Sequence, residues 1–184
     1  MAQRRSALRG TLAGFLPGNS RFVWEVGCGH GHFLTAYAQA HPRELCVGID
    51  ITGERIARAD RKRDRARLAN LHFLHAEAGM FLEVLPAGAA LSSVFVLFPD
   101  PWPKARHHKH RLIQQGFLDA VAGRAGQGTR LHFRTDHEPY FLEAEATIRT
   151  HRDWRLMDEA WPFEAPSVFQ ERAASHRSLT AARK

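Results

Sequence analysis

Two cysteines, Cys28 and Cys46, are all that 184 residues contain. Both fall in or beside expected strands, so they read as reduced, buried thiols and not as a disulfide. No apolar stretch approaches the ~18 residues of a membrane-spanning helix. The start, MAQRRSALRGTLAGFLPG, is basic, but Gly10, Gly14 and Pro17 interrupt its apolar part, which argues against a signal peptide. No internal repeat, low-complexity tract or linker is visible. These absences exclude a disulfide-stapled scaffold and a helical membrane protein, and the expected location is the cytoplasm. Negative charge is also scarce. Nineteen acids face 26 Lys and Arg, a net charge of +7. That imbalance is the footprint of a polyanion binder, without separating tRNA from rRNA, DNA or an acidic membrane surface. With 44% hydrophobic residues, the chain is long enough for one domain with a sizeable core.

Against this background, one stretch concentrates chemistry: Phe98 to Arg111, FPDPWPKARHHKHR. Asp100 lies between Pro99 and Pro101, and proline restricts both itself and the residue before it. Trp102 offers a flat face beside this acid. Lys104, Arg106, Lys109 and Arg111 then form a basic track interleaved with His107, His108 and His110. The run Val94 to Phe98 ahead of it reads as a buried strand. A held carboxylate, an aromatic platform and cations at the carboxyl end of a strand suit a base and its phosphates. A proline-stiffened surface loop with a solvated charge run is the simpler alternative.

The rest of the chain alternates strand and helix patterns. Strands are expected at Arg21–Val26, Glu44–Ile51, Leu71–His75, Leu91–Phe98, Thr129–Thr135 and Trp154–Met157, with a short, polar final strand within Ala173–Lys184. Helices are expected at His32–Ala40, Gly53–Asn70, Met80–Leu85, Leu112–Arg124 and Pro139–Arg149. This alternation argues one α/β domain with a largely parallel sheet, whose ligands bind beyond the carboxyl ends of the strands. Glu25, Asp50, Glu77, Asp100 and Asp136 all fall at or just past such ends. The turn Glu25-Val26-Gly27-Cys28-Gly29-His30-Gly31 lets a ligand approach the backbone through Gly27 and Gly29. Its third glycine comes too early for the dinucleotide fingerprint, which speaks against a nucleotide-dependent oxidoreductase. Asp50, about 20 residues on, is placed to bind ribose hydroxyls or, more simply, to cap its own turn. The basic helical run after it is open to two readings, an RNA contact or, more simply, a solvated face with local pairs such as Glu54 with Arg58. The histidine pairs lack the cysteine or carboxylate company of a closed metal site, so no metal is expected.

The sequence FPDPWPKARHHKHRLIQ resembles the signature of the bacterial tRNA (guanine-N7)-methyltransferases, and the resemblance runs from about Phe22 to about Arg172. It implies an α/β, Rossmann-like class I methyltransferase with a mostly parallel central sheet and helices on both faces. S-adenosylmethionine would be the methyl donor, and N7 of a guanine in the tRNA variable loop the acceptor. The S-adenosylmethionine-dependent methyltransferase domain would occupy 19–184; ahead of it, residues 1–18 read from their own composition as a loose basic arm carrying Arg4, Arg5 and Arg9, either an RNA contact or simply a frayed terminus. Carried over residue by residue, the cofactor side is Glu25, Gly27, Gly29, Asp50, Glu77 and Asp100. Asp100 is also the implied catalytic carboxylate, and Lys104 and Asp136 would contact the RNA. The tail departs from the family: its Thr-x-x-Glu substrate motif is here Ser167-Val168-Phe169-Gln170. Ser167 keeps the hydroxyl, whereas Gln170 loses the charge and gains a donor amide. A methyltransferase acting on another RNA and a non-catalytic RNA-binding relative therefore stay open.

Overall fold

The computed structural model describes residues 2–165 and 175–184. Its centre is a seven-stranded sheet in the order β3-β2-β1-β4-β5-β7-β6. The strands are β1 (Arg21–Val26), β2 (Leu45–Asp50), β3 (Leu71–His75), β4 (Ala90–Leu97), β5 (Ala125–Thr135), β6 (Trp154–Met157) and β7 (Arg177–Arg183). Strands β1 to β5 pair in parallel, and β7 runs antiparallel between β5 and β6. The helices are α1 (Ala2–Phe15), α2 (His32–Ala40), α3 (Gly53–Ala66), α4 (Ala78–Val84), α5 (Gln115–Ala122) and α6 (Glu138–Thr150).

Alternation along each strand makes two cores. From β1, Phe22, Trp24 and Val26 enter one core with residues of α1, α4, α5 and α6. Val23 enters the other with Phe33 and Leu34 of α2 and Ile56 and Ala59 of α3. Because both faces are covered, the central strands read as nearly continuous apolar runs. The class I methyltransferase architecture is thus present, with helices on both faces. Reversal of the sheet at β1 leaves a crevice beyond the carboxyl ends of β1, β2 and β4, where open α/β sheets bind ligands.

The structure differs from the sequence reading in several places: β5 begins at Ala125, not Thr129, and α4 at Ala78, not Met80. The expected N-terminal arm is helix α1, whose Leu12 and the following Leu16 are fully buried. Arg5 pairs with Glu83 of α4 at 3.0 Å, and Phe15 stacks on His72 with ring centroids 3.8 Å apart. Helix α3 ends earlier than Asn70, because Arg67 takes a left-handed conformation and caps it. Asn70 instead gives its side-chain amide to the carbonyls of Ala38, His41 and Glu44 at 2.9–3.1 Å, tying the α2–β2 turn to β3. The helix expected at Leu112–Arg124 begins only at Gln115. The hydroxyl of Tyr140 accepts the Ile113 N–H at 3.0 Å and withholds it from a helical turn. The final strand is neither short nor peripheral: β7 has seven residues, with Ala181 and Ala182 fully buried.

Gly31 admits close packing in the second core, between Phe73 of β3 and Ala59 of α3. It precedes α2 at φ 68°, and a Cβ there would stand 2.5 Å from Phe73 Cζ and 2.9 Å from Ala59 Cβ. Left-handed strain and overpacking add, so Gly31→Ala should lower the unfolding free energy by roughly 2–5 kcal/mol. Urea denaturation checks this, and trimming Phe73 to Leu in the same chain should restore the packing part of the loss.

Candidate functional site

The site begins with the turn after β1. Gly27 and Cys28 donate their backbone N–H groups to Ile49 O of β2 at 2.9 and 2.8 Å. Gly29 sits at φ 54°, and an added Cβ would meet nothing within 4 Å, so its Cα faces open space. The turn is fixed by Asp50, only 3% exposed at the end of β2. One carboxylate oxygen accepts the Gly29 N–H at 3.0 Å, and the other accepts the Thr52 N–H at 2.8 Å. Arg55, on the first turn of α3, stands 3.7 Å from the same acid.

These elements wall a cavity of about 470 Å³, within the range of small-molecule sites. Glu25, Gly27, Gly29, Asp50, Glu77 and Asp100 all line it, so the structure brings together every residue expected on the cofactor side. Glu25 is the most unusual. It is buried, and its Oε2 has no hydrogen-bond partner among the described residues. Burial pushes its carboxyl up to about 8, the Leu34 N–H in the first turn of α2 pulls it back in part, and the nearby Asp50 charge adds to the rise. Cys28 also lines the cavity, but burial pushes its thiol well up, reinforced by Glu25 and Asp50, so it is not a poised nucleophile. Glu77 and Asp100 are exposed at the rim.

The loop after β4 forms the opposite wall. Phe98 and Trp102 both adopt positive φ, at 48° and 45°, a sparsely populated conformation for bulky residues. The Phe98 N–H donates to Arg134 O at 2.8 Å. Trp102 lies against the loop's own His110 and His107, with ring centroids 5.1 and 5.8 Å away. Residues 105–110 form a 3₁₀ turn with no buried side chain.

Arg111 corrects the expected basic track. It is a buried cation, not a surface phosphate contact: its side chain is only 1% exposed. Its Nε donates to Pro101 O at 2.8 Å, its Nη1 pairs with Glu143 of α6, and its guanidinium lies 5.0 Å from the Tyr140 ring centre. The reason is the strand-to-helix connection, which must dock on α6 and uses Arg111 to do so. Lys104, Arg106 and Lys109 remain exposed. Glu143 and Tyr140 carry no motif that marks this role; both read as ordinary helix residues.

Lys104 and Asp136 do not line the cavity. Lys104 is exposed on the loop, and Asp136 is exposed immediately after β5, the strand adjoining β4. Ser167 and Gln170 lie outside the described residues. The segment leading toward them is held along β5. Arg130 binds Glu159 at 2.8 and 2.9 Å, and Arg134 binds Glu164 at 2.7 and 2.8 Å while lying 4.0 Å over the Trp161 ring. No pattern in the sequence announced these pairs. Among the described residues one further group, Asp119, His151 and Asp153, has metal-compatible spacing. Its donors are already engaged: Arg152 reaches both acids, Arg183 reaches Asp153, and the Asp153 N–H donates to His151 Nδ1.

Comparison with known proteins places this geometry. A family described as "Putative methyltransferase" matches residues 19–179. The chain is 36% identical over 165 residues to a tRNA (guanine-N(7)-)-methyltransferase of Magnetococcus marinus, covering 88% of this chain and 65% of that protein. It is 41% identical over 118 residues to one of Nocardia farcinica, covering 64% of this chain and 44% of that protein. The chain therefore spans about half to two thirds of the length of these relatives. Among solved structures, an aminoglycoside resistance methyltransferase superposes with a TM-score of 0.65 at 18% identity, covering 96% of this chain and 93% of the other. TrmN from Thermus thermophilus superposes with a TM-score of 0.65 at 15% identity, covering 98% and 48%. At such identities the likeness establishes the fold alone. No helix among the described residues is long and apolar enough to cross a membrane.

Glu25 sets a testable pH dependence. Its folded carboxyl holds a proton up to about pH 8, whereas the ordinary value is 4.5. Its contribution to stability is therefore full below pH 4.5 and is lost as pH rises through 8. The difference in unfolding free energy between the wild type and Glu25→Gln should shift by a few kcal/mol across that window, disfavouring the wild type at the alkaline end. Urea titrations across the window measure it. A difference independent of pH would mean that Glu25 is ionised throughout.

Proposed function

Because the chain belongs to the methyltransferase family that includes the bacterial tRNA (guanine-N7-)-methyltransferases, we propose that it methylates N7 of a variable-loop guanine in tRNA, using S-adenosylmethionine. The observation that carries this reading is the convergence of Glu25, Asp50, Glu77 and Asp100 on one cavity, which the signature loop also lines with Trp102 and His110, while Lys104, Arg106 and Lys109 of the same loop are exposed outside it. When bound, S-adenosylmethionine supplies an electrophilic sulfonium methyl.

The residues present fit that group. Glu25 offers a buried carboxyl oxygen that has no partner among the described residues, suited to a ligand N–H or ammonium. Asp50 uses one acceptor position on each oxygen for the backbone and keeps further lone pairs for a ribose hydroxyl. Glu77, exposed past β3, suits the edge of the adenine. Gly27 and Gly29 admit the ligand close to the main chain.

N7 of guanine already carries a lone pair, so no strong general base is needed. The protein's contribution is position and electrostatics. Asp100, on the rim beside Trp102, holds the Watson–Crick edge of the guanine and opposes the positive charge that develops on the base. Lys104 and the neighbouring exposed cations hold phosphates, and Asp136 contacts the RNA from the end of β5. A stacked target base must first be extruded, at a cost of a few kcal/mol.

Incubation with bulk tRNA lacking N7-methylguanine and with labelled S-adenosylmethionine should place the label on a variable-loop guanine. Label on a different RNA, or none on any tRNA, would remove this reading. Asp100→Asn keeps the loop's shape and removes its charge. In single turnover with both substrates saturating, its rate should fall ~10²-fold or more. A rate within a few-fold of the wild type would leave the loop as an RNA-docking element only. Asp50→Asn should weaken cofactor binding roughly tenfold or more, because one of two backbone N–H groups would then face an amide donor. Calorimetric titration reads that loss, and an unchanged affinity would show that the clasp is dispensable.

A further inference from the structure

Helix α3 carries Arg55, Arg58, Arg61, Lys62, Arg63 and Arg65. Some of these charges have local work. Arg63 binds Asp60 at 2.7 Å and Asp64 at 2.8 Å, Arg55 stands by Asp50, and Lys62 donates to His30 O at 3.0 Å. Arg58, Arg61 and Arg65 are exposed and, among the described residues, make no ion pair or hydrogen bond. The Glu54–Arg58 pair that the spacing predicts is not formed among the described residues.

The three free arginines follow i, i+3, i+7 spacing and so share one face of the helix, opposite the buried Ile56. They span ~10 Å along the axis. Stability does not account for them. The helix dipole favours a cation in the last turn, which explains Arg65 at most. Like charges one turn apart repel, so Arg58 and Arg61 weaken an isolated helix. The stripe starts one turn beyond the cavity wall. Arg55 and His30 both line the cavity, and Lys62 ties the helix to the His30 backbone. The field of these cations reaches the glycine turn: His30 is lowered first by burial, then by Arg58, Arg55 and Lys62.

We propose that Arg58, Arg61 and Arg65 form a second phosphate track, which receives the sugar–phosphate backbone of the RNA substrate at a distance from its target nucleotide. This rests on the reading of the substrate as RNA. Sheet order places α3 after β2 and the signature loop after β4, on opposite sides of the glycine turn of β1. A backbone crossing the mouth of the cavity would thus meet cations on both sides. An acidic membrane is the poorer fit, because an interfacial helix needs an apolar face to insert. The buried apolar residues of α3, Ile56 and Ala59, are spent in the core.

Binding of bulk tRNA to the full chain, without cofactor, measured by fluorescence anisotropy at several salt concentrations, tests the proposal. The triple variant Arg58→Gln, Arg61→Gln, Arg65→Gln should bind more weakly and lower the log–log salt slope by about 2, for three lost phosphate contacts. The matching triple variant to Lys should keep the wild-type slope, since a point charge suffices for a phosphate. Cofactor affinity of both variants should equal that of the wild type, which checks that the fold is intact. An unchanged slope in the Gln variant, or the same loss in both variants, would overturn the proposal. Because the readout is binding, it stands apart from turnover: a wild type that binds tRNA but never methylates it would sink the proposed activity and leave the track in place.

Discussion

The clasp made by Asp50 is the interaction on which the site depends. Two turns that belong to different strands, one after β1 and one after β2, are joined because a single buried carboxylate accepts an N–H from each. Charge-assisted hydrogen bonds of this kind are worth roughly 1.5–3 kcal/mol, and this acid is almost fully out of water, so losing a donor would leave an expensive charge. Glycine at position 29 makes the clasp possible, since the left-handed turn that aims its N–H at Asp50 would strain most other residues. Glu25 stands beside this arrangement in a contrasting state. One of its buried oxygens has no donor among the described residues, and its burial, helped by the Asp50 charge, raises its proton affinity. Two acids in one wall are thus held differently: the backbone clasps Asp50 with two N–H groups, whereas Glu25 receives that of Leu34 and keeps Oε2 without a partner among the described residues.

The loop after β4 is stiffened by another device. Prolines restrict the backbone on either side of Asp100, but they do not fix where the loop sits. That is done by Arg111, which holds the Pro101 carbonyl and Glu143 together while resting on Tyr140. A buried arginine serves because its planar guanidinium can donate in several directions at once. Ten residues separate the carbonyl from the cation that binds it, so the 3₁₀ turn between them is closed at its base and presents its own cations outward. Binding groups and fastening groups alternate within one motif, and only the structure separates them.

Much of this was legible in the sequence. The order of strands and helices, the glycine turn and the five strand-end acids follow from hydrophobic periodicity and from the rule that α/β sheets bind at their carboxyl edges. Four of those acids do share a cavity. Other features were hidden for definable reasons. A basic residue in a basic run looks the same whether it is solvated, as Lys109 is, or buried, as Arg111 is, because the partner that buries it lies 32 residues away. Helix α1 has a weak apolar pattern, and Leu12 is its only fully buried residue, so composition alone suggested a loose arm. Strand β7 looked too polar to be central. Its Ala181 lies between Leu131 of β5 and Leu156 of β6, where a small side chain suffices to close the core.

The position of β7 also governs the order in which the sheet can be completed. Strand β6 precedes β7 in the chain, yet β7 is its only sheet partner among the described residues. When the chain emerges from its amino end, β5 therefore presents an open edge, with Leu131 and Phe133 on it, and β6 has nothing to pair with until some twenty residues more have been made. Strands β1 to β5 can assemble as each appears, whereas the last two must arrive together, with β7 sliding antiparallel into a gap. Such late, non-local pairing is slow and leaves a strand edge available to other chains meanwhile. The edge is blunted by charge: Arg130 and Arg134 alternate with the apolar residues of β5, so the cations that later fasten the segment after β6 would first guard the strand against its own kind.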